Sequence, residues 1–222
     1  MRMDTAVALV EAYLRVNGYF TLAEYPIVEE MRGERHRSLT DVDIVAVRFP
    51  DAGHIPPVQG RRTVDPELHQ PDERLRANTE SVDMIIGEVK EGAGRLNSGM
   101  RDPVVLRATL IRFGCCRIEE SDRVISELLE HGTSSTAAGH QIRMVVFASS
   151  LDGSEPHSFE FLPLMHLIDY LQTHVAQHWQ RLRHTQLKDP VLALLVTLEK
   201  ARRGATRSTG LSKPDSPKKL GV

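Results

Sequence analysis

Glu88 and Lys90 stand two residues apart in the stretch IIGEVKEG, residues 85–92, directly after an apolar run. Side chains in a strand alternate between its two faces, so Glu88 and Lys90 point the same way and Val89 points the other way. The apolar run is typical of a strand inside a sheet. A carboxylate and an amine at the end of such a strand form either a salt bridge or part of a reactive site.

A further carboxylate, Asp43, lies near the start of another apolar strand, in the stretch TDVDIVAV. An aspartate on a buried strand needs a partner or a metal ion, because burying a lone charge is costly. If the two strands pair in a meander, Asp43, Glu88 and Lys90 can converge. Two carboxylates and a backbone carbonyl form an oxygen-rich donor set, which suits Mg²⁺ or Mn²⁺ better than zinc.

Such a group of residues would suit the hydrolysis of a phosphate ester. A divalent metal lowers the pKa of a bound water and neutralises charge on a phosphoryl oxygen. Lys90 could hold or deprotonate that water, and Glu11, at the border of the apolar side of an N-terminal helix, could bind the metal through water. The alternative is structural, since Glu-x-Lys pairs are common on exposed strands and contribute little there.

The positions of these residues depend on an alternation of predicted helices and strands. Asp4 or Thr5 can cap the first helix, and Pro26 suggests that the first strand lies at an edge or contains a bend. The pattern predicts helices over 3–17, 102–115, 121–132, 163–184 and 189–203, and strands over 18–31, 39–50, 82–92, 141–150 and 157–162.

This order predicts an α/β sandwich with a central mixed sheet and additional C-terminal helices. The first three strands form a meander, and the later strand returns across a helix. Residues 51–80 are expected to form a long loop or irregular insertion. Residues 204–222 are expected to be disordered, because they are rich in Ser, Pro, Gly and Lys.

The composition of the 222 residues is that of a globular protein, and the net charge is −2. A nucleic-acid-binding role would therefore need a local basic patch. The two cysteines, Cys115 and Cys116, are adjacent, which fits reduced thiols and a cytoplasmic location. The sequence has no signal-peptide pattern and no apolar run of membrane-spanning length, so we expect no membrane partner.

The order of the candidate residues resembles the PD-(D/E)xK nuclease superfamily, which includes restriction endonucleases and Holliday-junction resolvases. The matching pieces are Glu11 in ALVEAYLRVNGY, Asp43 in TDVDIVAV, and Glu88 with Lys90 in IIGEVKEG. The likeness covers roughly residues 3–150. It departs from the family pattern in two ways: no proline precedes Asp43, and the connection over 51–80 is longer than a compact hairpin.

The resemblance implies a three-layer α/β sandwich of the restriction-endonuclease type over residues 1–150, followed by a helical extension over 151–203. It implies that Asp43, Glu88 and the Val89 carbonyl bind Mg²⁺. Lys90 would position the attacking water, and Glu11 would support the metal.

The expected activity is metal-dependent cleavage of phosphodiester bonds, with DNA as the favoured substrate. Basic residues that flank the site could contact phosphates or could be ordinary surface charge; they are Arg35, Arg37, Arg61 and Arg62. The C-terminal helices would serve homodimer formation or substrate gripping. In the same helices, Trp179 is expected to pack between helices rather than to stack on bases.

Two other interpretations remain open at this point. The chain could be an inactive nuclease-fold scaffold that binds protein or nucleic acid and keeps its acids as a salt-bridge network. It could also be an enzyme that processes phosphoryl groups on a small molecule.

Overall fold

The computed structural model describes residues 4–31, 35–53, 70–94, 99–151 and 159–208. The helices in these ranges are α1 (Thr5–Val16), α2 (Pro103–Arg112), α3 (Ser121–His131), α4 (Leu164–Gln177), α5 (Trp179–Leu182) and α6 (Pro190–Ser208). The strands are β1 (Phe20–Met31), β2 (Arg35–Arg48), β3 (Asp83–Gly94), β4 (Thr133–Ser135), β5 (Gln141–Leu151) and β6 (Glu160–Pro163).

The strands form one six-stranded mixed sheet in the order β1-β2-β3-β5-β4, with β6 also paired to β5. β1, β2 and β3 are antiparallel neighbours. β5 then runs parallel to β3, after a crossover through α2 and α3. The predicted α/β sandwich with a mixed sheet is confirmed, as is the position of the Pro26 strand at an edge of the sheet.

α1 begins at the predicted cap and contacts β1, β2 and β3. The Asp4 carboxylate accepts hydrogen bonds from the backbone N–H groups of Ala6 at 2.8 Å and Val7 at 3.2 Å, which satisfies donors that a helix start leaves unpaired. The helix ends at Asn17, and Gly18 has a φ of +87°. Glycine adopts this left-handed conformation without steric cost, so the chain can turn directly into β1.

A hydrophobic core joins β2, β3 and β5 to α2 and α3. Val45, Ile86 and Met144 contribute to it from the sheet. The buried helix residues in the same cluster are Val105, Leu106, Leu110, Val124, Ile125 and Leu128. Burial of this apolar surface is the main favourable term that holds the helices to the sheet.

A buried ion pair links β3 to β5. Arg143 donates to the two Asp83 carboxylate oxygens at 2.9 Å and 2.7 Å, and the exposed fractions of the two side chains are 1% and 0%. Arg143 also donates to the Leu75 carbonyl at 2.9 Å and to Glu160 at 2.6 Å, while the Tyr19 hydroxyl donates to Asp83 at 2.5 Å. The guanidinium thereby connects the sheet to the segment before β3.

Asp72 fixes that segment to α1 and α4. Its carboxylate accepts a hydrogen bond from the Tyr13 hydroxyl at 2.6 Å and lies 2.5 Å from His166 Nε2. Its backbone N–H donates to Asn17 Oδ1 at 2.7 Å. The long connection between β2 and β3 therefore ends in an ordered hydrogen-bonded segment, which contains a short 3₁₀ helix at Glu73–Leu75.

The structure differs from the sequence-based expectation in three elements. The short strand β4 was not predicted, and the single helix predicted over 163–184 is divided into α4, which ends at Gln177, and α5, which begins at Trp179. α6 continues to Ser208, so the prediction of disorder from residue 204 is wrong for residues 204–208. The rest of that predicted tail, and residues 54–69 of the predicted insertion, lie outside the described residues.

The chain divides into two compact units, Met1–Tyr170 and Leu171–Val222. The first contains the whole sheet with α1, α2, α3 and the first half of α4. The second contains the remainder of α4 with α5 and α6. Across the described ranges, each helix is too short or too polar to cross a membrane.

Candidate active site

β2 and β3 stop pairing at the position of the candidate residues. Their register runs from Arg48 opposite Asp83 to Ile44 opposite Gly87. One residue further along β2, Asp43 Oδ2 accepts a hydrogen bond from the Val89 backbone N–H at 2.8 Å. The Asp43 carboxylate thus takes the role that a backbone carbonyl has within a ladder, and it lies beside the Glu88–Lys90 segment.

β1 and β2 are both irregular beside this contact. Val42 and Val45 lie in the same core cluster although they are three residues apart, so the regular alternation of β2 is interrupted between them. In the β1–β2 register, Glu24 falls opposite Asp43, and Glu24 has a φ of +50°. Such a conformation is uncommon for a residue other than glycine, and it marks a local irregularity of β1 beside Asp43.

Glu88 is a buried carboxylate with a partly exposed partner. Its side chain is 1% exposed and forms an ion pair with Lys90, whose side chain is 39% exposed. Both residues lie on the central strand β3, opposite Val146 and Ala148 of β5. A buried carboxylate needs a partner that compensates its charge. Lys90 is that partner, and its side chain extends from the buried Glu88 to the solvent.

The surroundings raise the pKa of both Asp43 and Lys90, but for different reasons. Burial raises the pKa of Asp43, and the Val89 N–H and the Lys90 charge oppose that rise only in part. Burial lowers the pKa of Lys90, but the hydrogen bond and charge of Glu88, helped by Asp43, hold the pKa above its ordinary value. Lys90 is therefore a cation at neutral pH and suits holding a water or a phosphoryl oxygen better than deprotonating a water.

Gly87 allows β2 and β3 to approach each other beside the site. A Cβ atom at this position would overlap the Ile44 side chain and would lie 3.1 Å from Phe147 Cε2. Ile44 and Gly87 form the last pair of the register before Asp43. The absence of a side chain at Gly87 therefore sets the distance at which the Asp43 carboxylate meets Val89.

Glu11, which was predicted to belong to the site, makes its described contacts with residues outside the site. Its carboxylate pairs with Arg15 and accepts a hydrogen bond from the Thr21 hydroxyl at 2.9 Å. The acid of α1 whose charge acts on Asp43 and Lys90 is the cap residue Asp4. Asp4 precedes Glu11 by two turns of helix, or roughly 10 Å.

The predicted phosphate-binding arginines divide into two groups. Arg35 and Arg37 belong to the first part of β2, on the same strand as Asp43. Arg61 and Arg62 lie outside the described residues. All four stay predictions.

The donors at this site fit a hard divalent cation. Asp43 and Glu88 supply carboxylate oxygens, and Val89 between Glu88 and Lys90 supplies a backbone carbonyl, which is the kind of set that Mg²⁺ and Mn²⁺ take with additional waters. Within the ranges that the structure covers, His, Cys, Asp and Glu form no group of three or more arranged for a metal.

Two residues near the site escaped the sequence-based prediction as functional residues. Asp4 was identified only as a helix cap, because its charge near Asp43 depends on the packing of α1 against the sheet. Gly87 carries a signal that was available, since glycine inside an apolar strand indicates a close approach of neighbouring atoms.

Comparisons of the chain with protein-family models, with curated proteins and with solved structures yield no match. The resemblance to the PD-(D/E)xK superfamily therefore stays a prediction from the residues.

Proposed function

We propose that the protein is a metal-dependent nuclease that hydrolyses phosphodiester bonds, with DNA as its substrate. The observation that carries this proposal is the hydrogen bond from the Val89 N–H to Asp43, which holds that carboxylate next to the Glu88–Lys90 ion pair at the point where β2 and β3 stop pairing.

In this proposal, Asp43, Glu88 and the Val89 carbonyl hold Mg²⁺, and Mn²⁺ can replace it. A divalent ion supplies a Lewis acid for the phosphoryl oxygen and increases the acidity of a bound water. Lys90 remains protonated, orients the attacking water and stabilises the negative charge that develops on the phosphoryl group. The burial around Glu88 strengthens these interactions because the local dielectric constant is low.

One observation favours the inactive scaffold as the second candidate. The ion pair with Lys90 already compensates the charge of Glu88. A fold that only binds protein or nucleic acid could keep this pair without a metal. The two candidates differ in whether the site binds a divalent cation and cuts.

The deciding experiment measures cleavage of labelled double-stranded, single-stranded and branched DNA and of RNA, with Mg²⁺, with Mn²⁺ and with a chelator. Asp43→Asn and Lys90→Ala are compared with the wild type. Asp41→Asn is the matched control, because Asp41 is an exposed carboxylate two residues from Asp43 on the same strand.

We expect metal-dependent cutting by the wild type and by Asp41→Asn, and a loss of about 100-fold or more for Asp43→Asn and for Lys90→Ala. If the wild type cuts none of the substrates and binds no Mn²⁺ by calorimetry, the nuclease proposal is wrong and the scaffold is favoured. Equal cutting by all four proteins would place the activity in another site or in a contaminant.

A further inference from the structure

The unit Leu171–Val222 contains a cleft that the candidate active site does not use. The cleft has a volume of about 640 Å³, which lies in the usual range for a ligand-binding site. It is formed by α5, the residues that follow α5, and the C-terminal half of α6. Its lining side chains include Trp179, Gln180, Arg183, His184, Lys200 and Arg203.

One cation of this cleft is held in place by its neighbours. Arg203 Nε donates a hydrogen bond to Glu199 at 2.6 Å. The Arg203 guanidinium also lies over the Trp179 ring, 4.9 Å from its centroid, in the geometry of a cation–π contact. A guanidinium that is already ordered loses less entropy when an anion binds beside it.

Two further cations in the cleft have no such compensation. Arg183 and Lys200 are exposed, and no carboxylate in the described part of the chain forms an ion pair with either of them. Two uncompensated cations beside an ordered arginine and an aromatic ring form a surface that favours a polyanion. Proteins that bind single-stranded nucleic acid combine these same two kinds of side chain.

The distribution of charge along the sequence gives an independent argument. Residues 171–222 carry ten Lys and Arg and only three Asp and Glu, whereas residues 1–170 carry 18 Lys and Arg and 27 Asp and Glu. The net charge of the whole chain is therefore close to zero although its C-terminal unit is strongly basic. A charge asymmetry of this kind indicates a nucleic-acid partner for the basic part.

We infer that this cleft binds the phosphodiester backbone of a nucleic-acid strand, as a second contact outside the catalytic site. Arg183 and Lys200 pair with phosphates, and the ordered Arg203 adds a third cation beside Trp179. The inference deepens the proposed function and rests on it only for the identity of the strand as a substrate.

The first test uses Trp179, the single tryptophan of the chain, as a local probe. The full-length wild type is titrated, in a chelator, with a single-stranded DNA of about 20 nucleotides, a length that exceeds typical single-strand site sizes. We expect a saturable change of tryptophan fluorescence that follows the binding curve from anisotropy of the labelled DNA. Binding without a fluorescence change would overturn the inference.

The second test is the charge reversal of the two uncompensated cations. We expect Arg183→Glu/Lys200→Glu to bind the DNA on the order of ten-fold more weakly, and to reduce the slope of log affinity against log salt by about two. Lys188→Glu is the matched control, because Lys188 is exposed in the same unit and does not line the cleft. Equal weakening by the control would show that net charge alone is responsible and would overturn the inference.

A competition experiment tests the ligand class. Inorganic polyphosphate at equal charge should compete more weakly than unlabelled DNA. Equal competition would show that the cleft binds any polyanion, which would overturn the assignment of nucleic acid as its ligand.

The tests of the two proposals fail separately. If the chain binds DNA through this cleft but neither cuts any of the substrates nor binds Mn²⁺, the nuclease proposal fails and this inference stands. If the chain cuts DNA and the cleft variant binds as the wild type does, this inference fails and the nuclease proposal stands.

Discussion

Asp43 accepts a hydrogen bond between β2 and β3, and its proposed role as a metal ligand needs a negative charge that its burial disfavours. Its carboxylate accepts the Val89 hydrogen bond, but burial makes its ionised form costly and raises its pKa. A group with a raised pKa stabilises the folded state at low pH, and that stability is lost as the pH rises through the raised pKa. Above its raised pKa, the ionised Asp43 therefore destabilises the folded state relative to its neutral form.

We predict that Asp43→Asn is more stable than the wild type at neutral pH, by about 2–4 °C in Tm. The amide oxygen can still accept the Val89 hydrogen bond, and the cost of the buried charge is removed. The gain should shrink as the pH falls below the raised pKa of Asp43, where the wild type is also neutral.

Thermal unfolding of both proteins across a pH series checks this prediction, with Asp41→Asn as the control for the loss of one carboxylate. A lower Tm for Asp43→Asn at neutral pH would contradict it and would mean that the charge itself stabilises the strands.

At the scale of the element, the approach of β2 to β3 depends on Gly87. We predict that Gly87→Ala destabilises the protein by about 1–3 kcal/mol. We also predict that it lowers any nuclease activity by more than the loss of folded protein explains. The added methyl group would overlap Ile44 and separate the strands exactly where Asp43 meets Val89.

Denaturant unfolding and the cleavage assay measure the two effects. Gly92→Ala is the matched control, because Gly92 lies on the same strand and a Cβ atom there meets no heavy atom within 4 Å. Unchanged activity in Gly87→Ala would show that the distance between the strands is not critical for the site.

The elements that carry the site were largely predictable, because β2 and β3 are long apolar runs with clear ends and α1 has a strong cap at Asp4. The three residues of β4 could not be predicted, since so short a segment shows no periodicity. The sequence also indicated that Asp43, Glu88 and Lys90 could converge if these two strands paired in a meander, and β2 and β3 do pair, with Asp43 bonded to the Val89 N–H.

Contacts of a helix with the segments packed against it were not predictable. Glu11 was placed in the site from its position on a helix face, but its hydrogen bond from the Thr21 hydroxyl depends on how α1 packs on β1. The same limit applies to the bond between Tyr13 and Asp72, which are 59 residues apart. The pattern of one chain contains no direct signal for such pairs.

At the scale of the whole molecule, the buried Arg143–Asp83 pair lies between the paired strands β3 and β5, and Arg143 also connects them to the segment before β3. We predict that Arg143→Met destabilises the protein by about 3–5 kcal/mol, because Asp83 would stay almost completely buried without its cationic partner. Loss of the bonds to Leu75 and Glu160 would add to the effect.

The double variant Arg143→Met/Asp83→Asn provides the control, since it removes the unpaired charge and should recover part of the lost stability. Denaturant unfolding of the two variants and the wild type measures the difference. If the single variant lost less than about 1 kcal/mol, water or another cation would have to compensate Asp83.

The two edges of the sheet differ in a way that matters for handling the protein. One edge ends in the short strands β4 and β6, whereas the other is the 12-residue strand β1, with exposed Phe20, Leu22 and Val28. A long edge with outward apolar side chains is a template for aggregation, and Pro26 interrupts its row of donors at a single point. During concentration or refolding, precipitation should therefore begin with the stretch before Pro26, and a lysine in place of Leu22 is the first change to make for crystallisation.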